Sequence, residues 1–260
     1  MNTQGNFTPD FPLPGNAIVH YGYISDFPTD RLFGVLDTSE NERADKFRLA
    51  ADRLQYITCR AILKLLLSQY TGIDAADIRL RYAPGGKPMM QGMNPIQFNV
   101  SHCRDILMWG FSCGNNIGVD VENLERQVSA GALASVCSET ELARIQHVPS
   151  HLQNACAINL WTRKEALLKA LGSLSTPIQR FEVSIENEKE EVLTSPGSER
   201  ERDQWYLHSL DLPGNYRGAI AIRGKVSHVN INRLDCNWTS HWHEYDVCQP
   251  LSYSSLQFTS

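Results

Sequence analysis

Hydrophobic and polar residues change their spacing several times along the chain, and each change predicts a different element. Alternating apolar positions rich in β-branched residues predict strands, whereas apolar residues three or four apart predict helices. The predicted strands cover residues 17–24, 78–82, 96–101, 106–112, 117–122, 180–185, 204–210 and 216–223. The predicted helices cover residues 40–70, as one long helix or two short ones, then 138–147 and 151–171.

Residues with known capping preferences mark the expected helix ends. Ser39 is followed three residues later by Glu42, which matches a capping box and predicts the start of the first helical stretch. Thr71 and Gly72 end that stretch, and Gly172 ends the last one, because glycine readily takes the left-handed conformation that follows a helix.

The order of strand, helix and three further strands occurs twice, with a separation of about 100 residues. This order predicts an α+β fold in which two similar α/β halves form an intramolecular pseudo-dimer. The predicted division gives an N-terminal half at 1–115, a C-terminal half at 116–223 and a C-terminal extension at 224–260.

Composition narrows the class of protein. With 260 residues, of which 42% are hydrophobic and 20% charged, the chain is typical of a folded globular protein. No apolar run reaches the roughly 18 residues of a membrane span, and the N-terminus lacks the basic start and apolar core of an export signal, so we expect a cytoplasmic protein. Seven cysteines without a CxxC pair predict free thiols, and a net charge of -5 disfavours nonspecific nucleic-acid binding.

Two carboxylates interrupt the predicted strand at "IGVDVE". Because side chains alternate along a strand, Asp120 and Glu122 share one face. Two like charges on one face repel each other unless a cation lies between them. The pair therefore indicates either a site for a divalent metal or the solvated face of an edge strand.

A second group of charges lies on the predicted helix "LWTRKEALLKALG". Glu165 and Lys169 are four residues apart and share a helix face with Trp161. Taken alone, this spacing is equally typical of a surface ion pair.

Two further segments carry candidate chemistry. "GGKP" at residues 85–88 is a predicted turn with Lys87 at its tip, and it is not a P-loop because Pro88 replaces the Ser or Thr of that motif. Ser101 and His102 invite comparison with a hydrolase, but neighbouring strand residues face opposite sides and cannot easily form a nucleophile and base pair.

Taken in order, five segments resemble the 4'-phosphopantetheinyl transferase superfamily, in particular its larger, pseudo-dimeric Sfp-like branch. They are "KFRLAADRLQYITCRAIL", "GGKP", "FNVSH", "IGVDVE" and "WTRKEALLKALG". The resemblance implies an enzyme that transfers the 4'-phosphopantetheine arm of coenzyme A to a serine of an apo acyl or peptidyl carrier protein and releases 3',5'-ADP.

The resemblance also implies roles for individual residues. Asp120, Glu122 and Glu165 would bind Mg2+, with Mn2+ as an alternative, and an octahedral Mg2+ is commonly shared between carboxylates and substrate phosphates. The implied catalytic residues are Asp120, Glu165 and Lys169, with Glu165 also a candidate to take the proton of the serine. The residues implied in binding coenzyme A are Arg48, Arg53, Gly86, Lys87, Pro88, Ser101, His102, Asp120, Lys164 and Lys169.

One alternative function and several partner predictions accompany this hypothesis. A non-catalytic module of the same fold that binds coenzyme A or a nucleotide is the alternative function. The expected partners are coenzyme A and carrier proteins, without nucleic acid or membrane. We expect a monomer, because two halves in one chain can build the site without a second subunit.

Overall fold

The structure is a computed structural model that describes residues 12–27, 32–92, 95–172, 177–185, 190–194, 204–235 and 238. Helices and sheets are mixed along the chain, which confirms the α+β prediction. The chain divides into two compact units, one holding Tyr23–Arg79 and the other holding Pro12–Gly22 with Leu80–Arg233. The predicted pseudo-dimer with a boundary at residue 115 stays a prediction.

The unit from Tyr23 to Arg79 contains two helices rather than one long helix. Helix α1 spans Thr38–Asp45 and helix α2 spans Ala50–Thr71. Gly72 ends α2 as predicted: it takes the left-handed conformation (φ 71°), and its N–H donates to the carbonyl of Ser68.

The predicted N-cap of α1 was wrong by two residues. Asp37, not Ser39, caps the helix: its carboxylate accepts from the N–H of Glu40 at 2.9 Å, and the Glu40 carboxylate accepts from the N–H of Asp37 at 3.0 Å. The Ser39 hydroxyl instead donates to Asp37. Asp37 prevails because its capping partner is Glu40, whose carboxylate is also held by the buried ammonium of Lys64.

Within the residues that the structure describes there are ten strands, and the larger unit contains all of them apart from the last residue of β1. They are β1 (Asn16–Tyr23), β2 (Leu80–Tyr82), β3 (Pro88–Met90), β4 (Ile96–Cys103), β5 (Ile106–Cys113), β6 (Ile117–Asn123), β7 (Glu190–Thr194), β8 (Gln204–Leu212), β9 (Tyr216–Arg223) and β10 (His228–Arg233). One sheet has the order β10-β1-β5-β4, another has the order β6-β9-β8-β7, and β2 and β3 form a separate hairpin.

Three α-helices complete the described part of this unit. They are α3 (Ala130–Val136), which the sequence pattern did not predict, α4 (Glu139–His147) and α5 (Ser150–Leu171). Gly172 ends α5 in the left-handed conformation, as predicted. None of the helices within the described residues has the length and apolar character needed to cross a membrane.

The strand predictions differ from the structure at four places, since the strand at 180–185 was wrong and β3, β7 and β10 were not predicted. Residues 180–185 form no strand, because their backbone carbonyls bond to side chains of α5: Lys164 donates to Phe181 and Arg163 donates to Ser184. In the predicted extension, β10 lies parallel beside β1, with Asn16 opposite His228. Its half-polar sequence, HVNINR, has the character of an edge strand, which alternation alone signals weakly.

Glycines allow the layers of this unit to approach closely. A Cβ added at Gly118 on β6 would lie 2.0 Å from the carbonyl oxygen of Ala166 on α5, and one at Gly110 on β5 would lie 2.4 Å from Val119. Since the Ala166 oxygen is backbone, it could not move aside cheaply. Gly118 therefore lets α5 lie directly on β6, which places the charged face of the helix beside Asp120.

Candidate active site

Alternate side chains of β4 join the two sheets at β6. The Asn99 side chain accepts from the N–H of Val119 at 2.9 Å, the Ser101 hydroxyl donates to Asp120 at 2.9 Å, and the Cys103 thiol lies 3.7 Å from Glu122. These three residues share one strand face because they are two positions apart. One face of β4 thus fixes the acidic face of β6.

Helix α5 supplies the other wall of the site. Trp161, Glu165 and Lys169 follow each other at four-residue intervals and share one helix face, as the spacing predicted, and the structure turns this face toward β6. The Trp161 indole N–H donates to Glu122 at 3.2 Å, and Lys169 Nζ lies 2.7 Å from Asp120 Oδ1. The two charged motifs found in the sequence therefore form one site.

Asp120 is the centre of this site. It is 5% exposed, and its Oδ1 accepts from both Ser101 and Lys169, which are themselves joined because Lys169 donates to the Ser101 hydroxyl at 2.9 Å. Its Oδ2 is buried and accepts no hydrogen bond from the residues that the structure describes. Burial raises the pKa of Asp120, although Lys169 opposes the rise.

Glu122 is held in a different way. Its Oε1 accepts from the Arg126 guanidinium and from Trp161, and its Oε2 faces the Cys103 thiol. Both oxygens of Glu122 therefore have partners, whereas one oxygen of Asp120 has none among the described residues.

Glu165 completes the acidic group. Burial raises the pKa of its carboxyl group, and the neighbouring carboxylate of Asp120 raises it further, against the opposing effect of Lys169. A carboxylate with a raised pKa is a better proton acceptor near neutral pH.

The residues fit a cation at Asp120 more directly than at the other two acids. Among the described residues, no three His, Cys, Asp or Glu side chains are arranged to hold a metal ion. The ion pairs explain this arrangement, because Lys169 is drawn to Asp120 and Arg126 to Glu122. The buried Asp120 Oδ2 is still an acceptor without a donor, which is what an incoming cation would satisfy.

The GGKP turn lies at the edge of the same site. Gly86 takes a positive φ of 80° in the turn between β2 and β3, and Pro88 begins β3. Lys87 Nζ donates to the carbonyl of Ile117 at the start of β6 at 2.7 Å, and burial lowers the pKa of Lys87 to about 8. A Cβ at Gly85 would lie 2.9 Å from the carbonyl oxygen of Gly172, so this turn packs at the end of α5.

Other predicted residues lie elsewhere. Lys164 is fully buried, and its ammonium lies 2.8 Å from Glu141 and also donates to backbone carbonyls, so the structure does not bring it to Asp120. His102 is exposed on the face of β4 opposite Ser101. In the smaller unit, Arg48 is exposed between α1 and α2, and Arg53 pairs with Asp45 at 2.8 Å.

Sequence patterns missed several contributors to the site. Asn99 and Cys103 were not singled out, although their two-residue spacing from Ser101 places them on its face. Arg126 lies beyond the predicted strand, and nothing in its spacing pointed to Glu122.

Two family models match the chain. A model described as the 4'-phosphopantetheinyl transferase superfamily matches residues 116–221, which include β6 and α5. A model described as 4'-phosphopantetheinyl transferase, N-terminal, matches residues 28–109. The two matches follow each other along the chain and account for most of its length.

Curated relatives carry the same description. The chain is 26% identical to 4'-phosphopantetheinyl transferase HetI of Nostoc sp. strain PCC 7120, over 74% of this chain and 81% of that protein. It is 27% identical to 4'-phosphopantetheinyl transferase ffp of Bacillus subtilis, over 64% and 75%, and 22% identical to Sfp of Bacillus subtilis strain 168, over 77% and 90%.

A solved structure of Thermotoga maritima holo-[acyl-carrier-protein] synthase is 20% identical and covers 42% of this chain and 63% of that one. Its TM-score of 0.33 is too low to support an inference about the fold.

Proposed function

The chain belongs to the 4'-phosphopantetheinyl transferase superfamily, in its Sfp-like branch, and on that premise we propose that the Asp120, Glu122, Glu165 and Lys169 cluster is its active site. The protein is a transferase that moves phosphopantetheine from coenzyme A to a carrier protein. The matches confirm the predicted enzyme and lend no support to a non-catalytic module.

The observation that carries the site proposal is the meeting of β6 and α5 at Asp120. Lys169 from the helix and Ser101 from β4 both bond to one oxygen of this buried carboxylate, and the other oxygen remains available. A buried acid with a cation beside it and a free acceptor oxygen is suited to binding a phosphate together with its counter-ion.

The chemistry transfers one phosphoryl group. The carrier serine Oγ forms a bond to the phosphorus that bears pantetheine, and the bond from this phosphorus to the bridging oxygen breaks. The 3',5'-ADP leaves with that electron pair, and the serine proton passes to a base. Glu165 is the proposed base, because it lies on the same face of α5 as Lys169, next to Asp120, and burial raises the pKa of its carboxyl group, which favours proton uptake.

Lys169 is the proposed contact for the pyrophosphate. Its ammonium is partly exposed, with 29% of the side chain accessible, so it can turn from Asp120 toward a bound phosphate. There it would stabilise negative charge on the leaving oxygen, which is the main task of a protein in phosphoryl transfer.

Mg2+ is the proposed metal, held by Asp120 Oδ2 with Glu122 and Glu165. A divalent cation bound there would neutralise the pyrophosphate and the developing charge on the leaving group. Glu122 and Glu165 would have to turn toward it, since the described carboxylates do not converge.

Coenzyme A binding by the remaining residues is also proposed. Ser101, Lys87, Pro88 and the Gly86 backbone lie on the elements around Asp120 or its strand, which supports their assignment. For Arg48, Arg53 and His102 the support is the resemblance alone. We leave Lys164 out of this set because its ammonium is buried against Glu141. A cytoplasmic monomer stays a prediction.

The test uses the mass of a carrier protein. Incubation with coenzyme A, Mg2+ and an apo carrier should add about 340 Da to the carrier, the mass of one phosphopantetheine group. Asp120→Asn should lower the rate at least about 100-fold, the usual cost of losing a group that stabilises transition-state charge.

Asp211→Asn is the matched control, because Asp211 is exposed on β8 and, among the described residues, forms an ion pair only with Arg217. Its rate should stay near that of the parent. An unchanged carrier mass across a panel of carriers would refute the function, whereas full activity of Asp120→Asn would refute only the site.

A further inference from the structure

Arg126 forms an ion pair with Glu122, one of the three carboxylates proposed to bind the metal. Its guanidinium pairs with Glu122 Oε1, the oxygen that also accepts from the Trp161 indole N–H at 3.2 Å. Glu122 is thus satisfied by cations and donors of its own chain, while Asp120 keeps an oxygen without a described donor. The two acids of β6 are not equally ready for a metal.

Contacts from α5 fix the position of Arg126. Its guanidinium carbon lies 5.3 Å from the centre of the Trp161 ring, within the range of a cation–π contact. The Asn154 side chain donates to the backbone carbonyls of Leu124 and Arg126, each at 3.1 Å. The backbone and the guanidinium of Arg126 are therefore both tied to the helix that carries Glu165.

A guanidinium and a divalent cation compete for a carboxylate when both bind the same oxygen. The Glu122 side chain is 12% exposed and that of Arg126 is 41% exposed, so the pair is partly shielded from water. Such a pair is stronger than a fully solvated one, and a metal that binds Oε1 would have to break it.

We propose that Arg126, stacked on Trp161, is a positioning residue that holds Glu122 before the metal binds and lowers the metal affinity of the site. This inference rests on the proposed function only for the position of the metal. Asp120 Oδ2 would be open to the cation, whereas Glu122 would bind it through Oε1 only after Arg126 releases this oxygen.

The experiment measures Mn2+ binding by the whole protein, without coenzyme A or carrier. Mn2+ binding is followed by the loss of the electron paramagnetic resonance signal of the free ion at constant pH and ionic strength. Arg126→Gln should bind Mn2+ about fivefold more tightly than the parent, which corresponds to the upper range for a partly exposed ion pair. Arg126→Lys should fall between them, because it keeps the charge but loses the planar stack.

Arg104→Gln is the control. Arg104 is exposed and pairs at 3.0 Å with Glu125, the residue before Arg126. Replacing Arg104 by Gln changes the net charge by the same amount as Arg126→Gln. This variant should bind Mn2+ like the parent.

Equal or weaker binding of Mn2+ by Arg126→Gln would overturn the inference, and so would a similar gain in Arg104→Gln, which would reduce the effect to net charge. Absence of Mn2+ binding by parent and Arg126→Gln alike would also overturn it. The Mn2+ measurement needs no carrier protein. A parent that binds Mn2+ here but transfers nothing in the separate carrier assay would therefore contradict the proposed function and leave this inference standing.

Discussion

Helices α2 and α5 offer a comparison of two regions of the molecule that share a scaffold but differ in chemistry. Both helices have 22 residues, start 100 positions apart at Ala50 and Ser150, and end at a left-handed glycine. Each follows a shorter helix whose capping box contains a buried glutamate, Glu40 before α2 and Glu141 before α5.

The correspondence extends to a buried ion pair. Lys64 on α2 lies 3.0 Å from Glu40, and Lys164 on α5 lies 2.8 Å from Glu141, with neither lysine exposed. Each buried lysine joins its helix to the capping box of the preceding helix, and removing it would leave a buried carboxylate without its cation. The repeated pair is therefore a structural element and explains why Lys164 does not reach the site.

The two helices differ on the face that carries the chemistry. At the positions where α5 has Trp161, Glu165 and Lys169, α2 has the residues Ala61, Leu65 and Gln69. The strands differ as well, since β1 has His20 where β6 has Asp120. What the regions share is thus structural, and what distinguishes them is the proposed active site.

The largest expected effect comes from breaking the buried ion pair that the two regions share. Lys164→Met should lower the free energy of unfolding by about 3–5 kcal/mol, because it leaves the Glu141 carboxylate buried without its cation. Lys64→Met should cost less, since Arg60 Nε lies 3.7 Å from Glu40 and remains as a second cation. Urea unfolding followed by circular dichroism measures both losses.

Lys46→Met serves as the control for this pair, because Lys46 is exposed at the end of α1. Its effect should stay within about 0.5 kcal/mol. A loss from Lys164→Met no larger than that of Lys46→Met would show that the buried pair does not stabilise the fold.

The next largest effect comes from changing the charged face of α5, where the two helices differ. Lys169→Gln gives α5 the residue that α2 has at the matching position, and it should lower kcat/KM for transfer about 100-fold or more, close to 3 kcal/mol. The reason is that no other ammonium contacts Asp120 in the described part of the chain. Mass spectrometry of the carrier over time gives the rate.

Gln69→Ala tests the same comparison from the other side. Since Gln69 is on the helix without the charged face, transfer should stay within about twofold of the parent. If both variants lost activity to the same extent, the chemistry would not be confined to the region of α5.

Local sequence patterns predicted those features that depend on spacing alone. Period-two alternation placed Asp120 and Glu122 on one strand face, and four-residue spacing placed Glu165 and Lys169 on one helix face. The contact between the two faces depends on Gly118, whose missing Cβ admits α5, and such an approach is not visible in spacing.

Buried charges account for two of the errors. Lys164 follows a polar pattern that resembles an exposed helix position, yet its partner Glu141 lies 23 residues away in sequence and is found only in the fold. The same lysine bonds to the carbonyl of Phe181, so the alternating residues 180–185 do not pair as a strand. Long-range pairing overrides the local pattern in both cases.

The smallest effect concerns the matching positions His20 and Asp120. His20 is fully buried, and this burial lowers its pKa from 6.5 to about 3. Between those values the unfolded chain binds a proton that the folded protein does not, so stability is complete above the unfolded pKa and falls as the pH drops below it. At pH 5.5 the loss through His20 should be on the order of 1 kcal/mol. The measurement is the difference in the free energy of unfolding between pH 7.5 and 5.5, taken from urea titrations of the parent and of His20→Gln. The variant should lose roughly 1 kcal/mol less than the parent over this interval, because its amide does not titrate. His228→Gln, on the exposed end of β10, should match the parent. If His20→Gln had the same acid sensitivity as the parent, the imidazole of His20 would take up its proton in the folded protein. The contrast between a neutral buried group on β1 and a charged site on β6 would then be wrong.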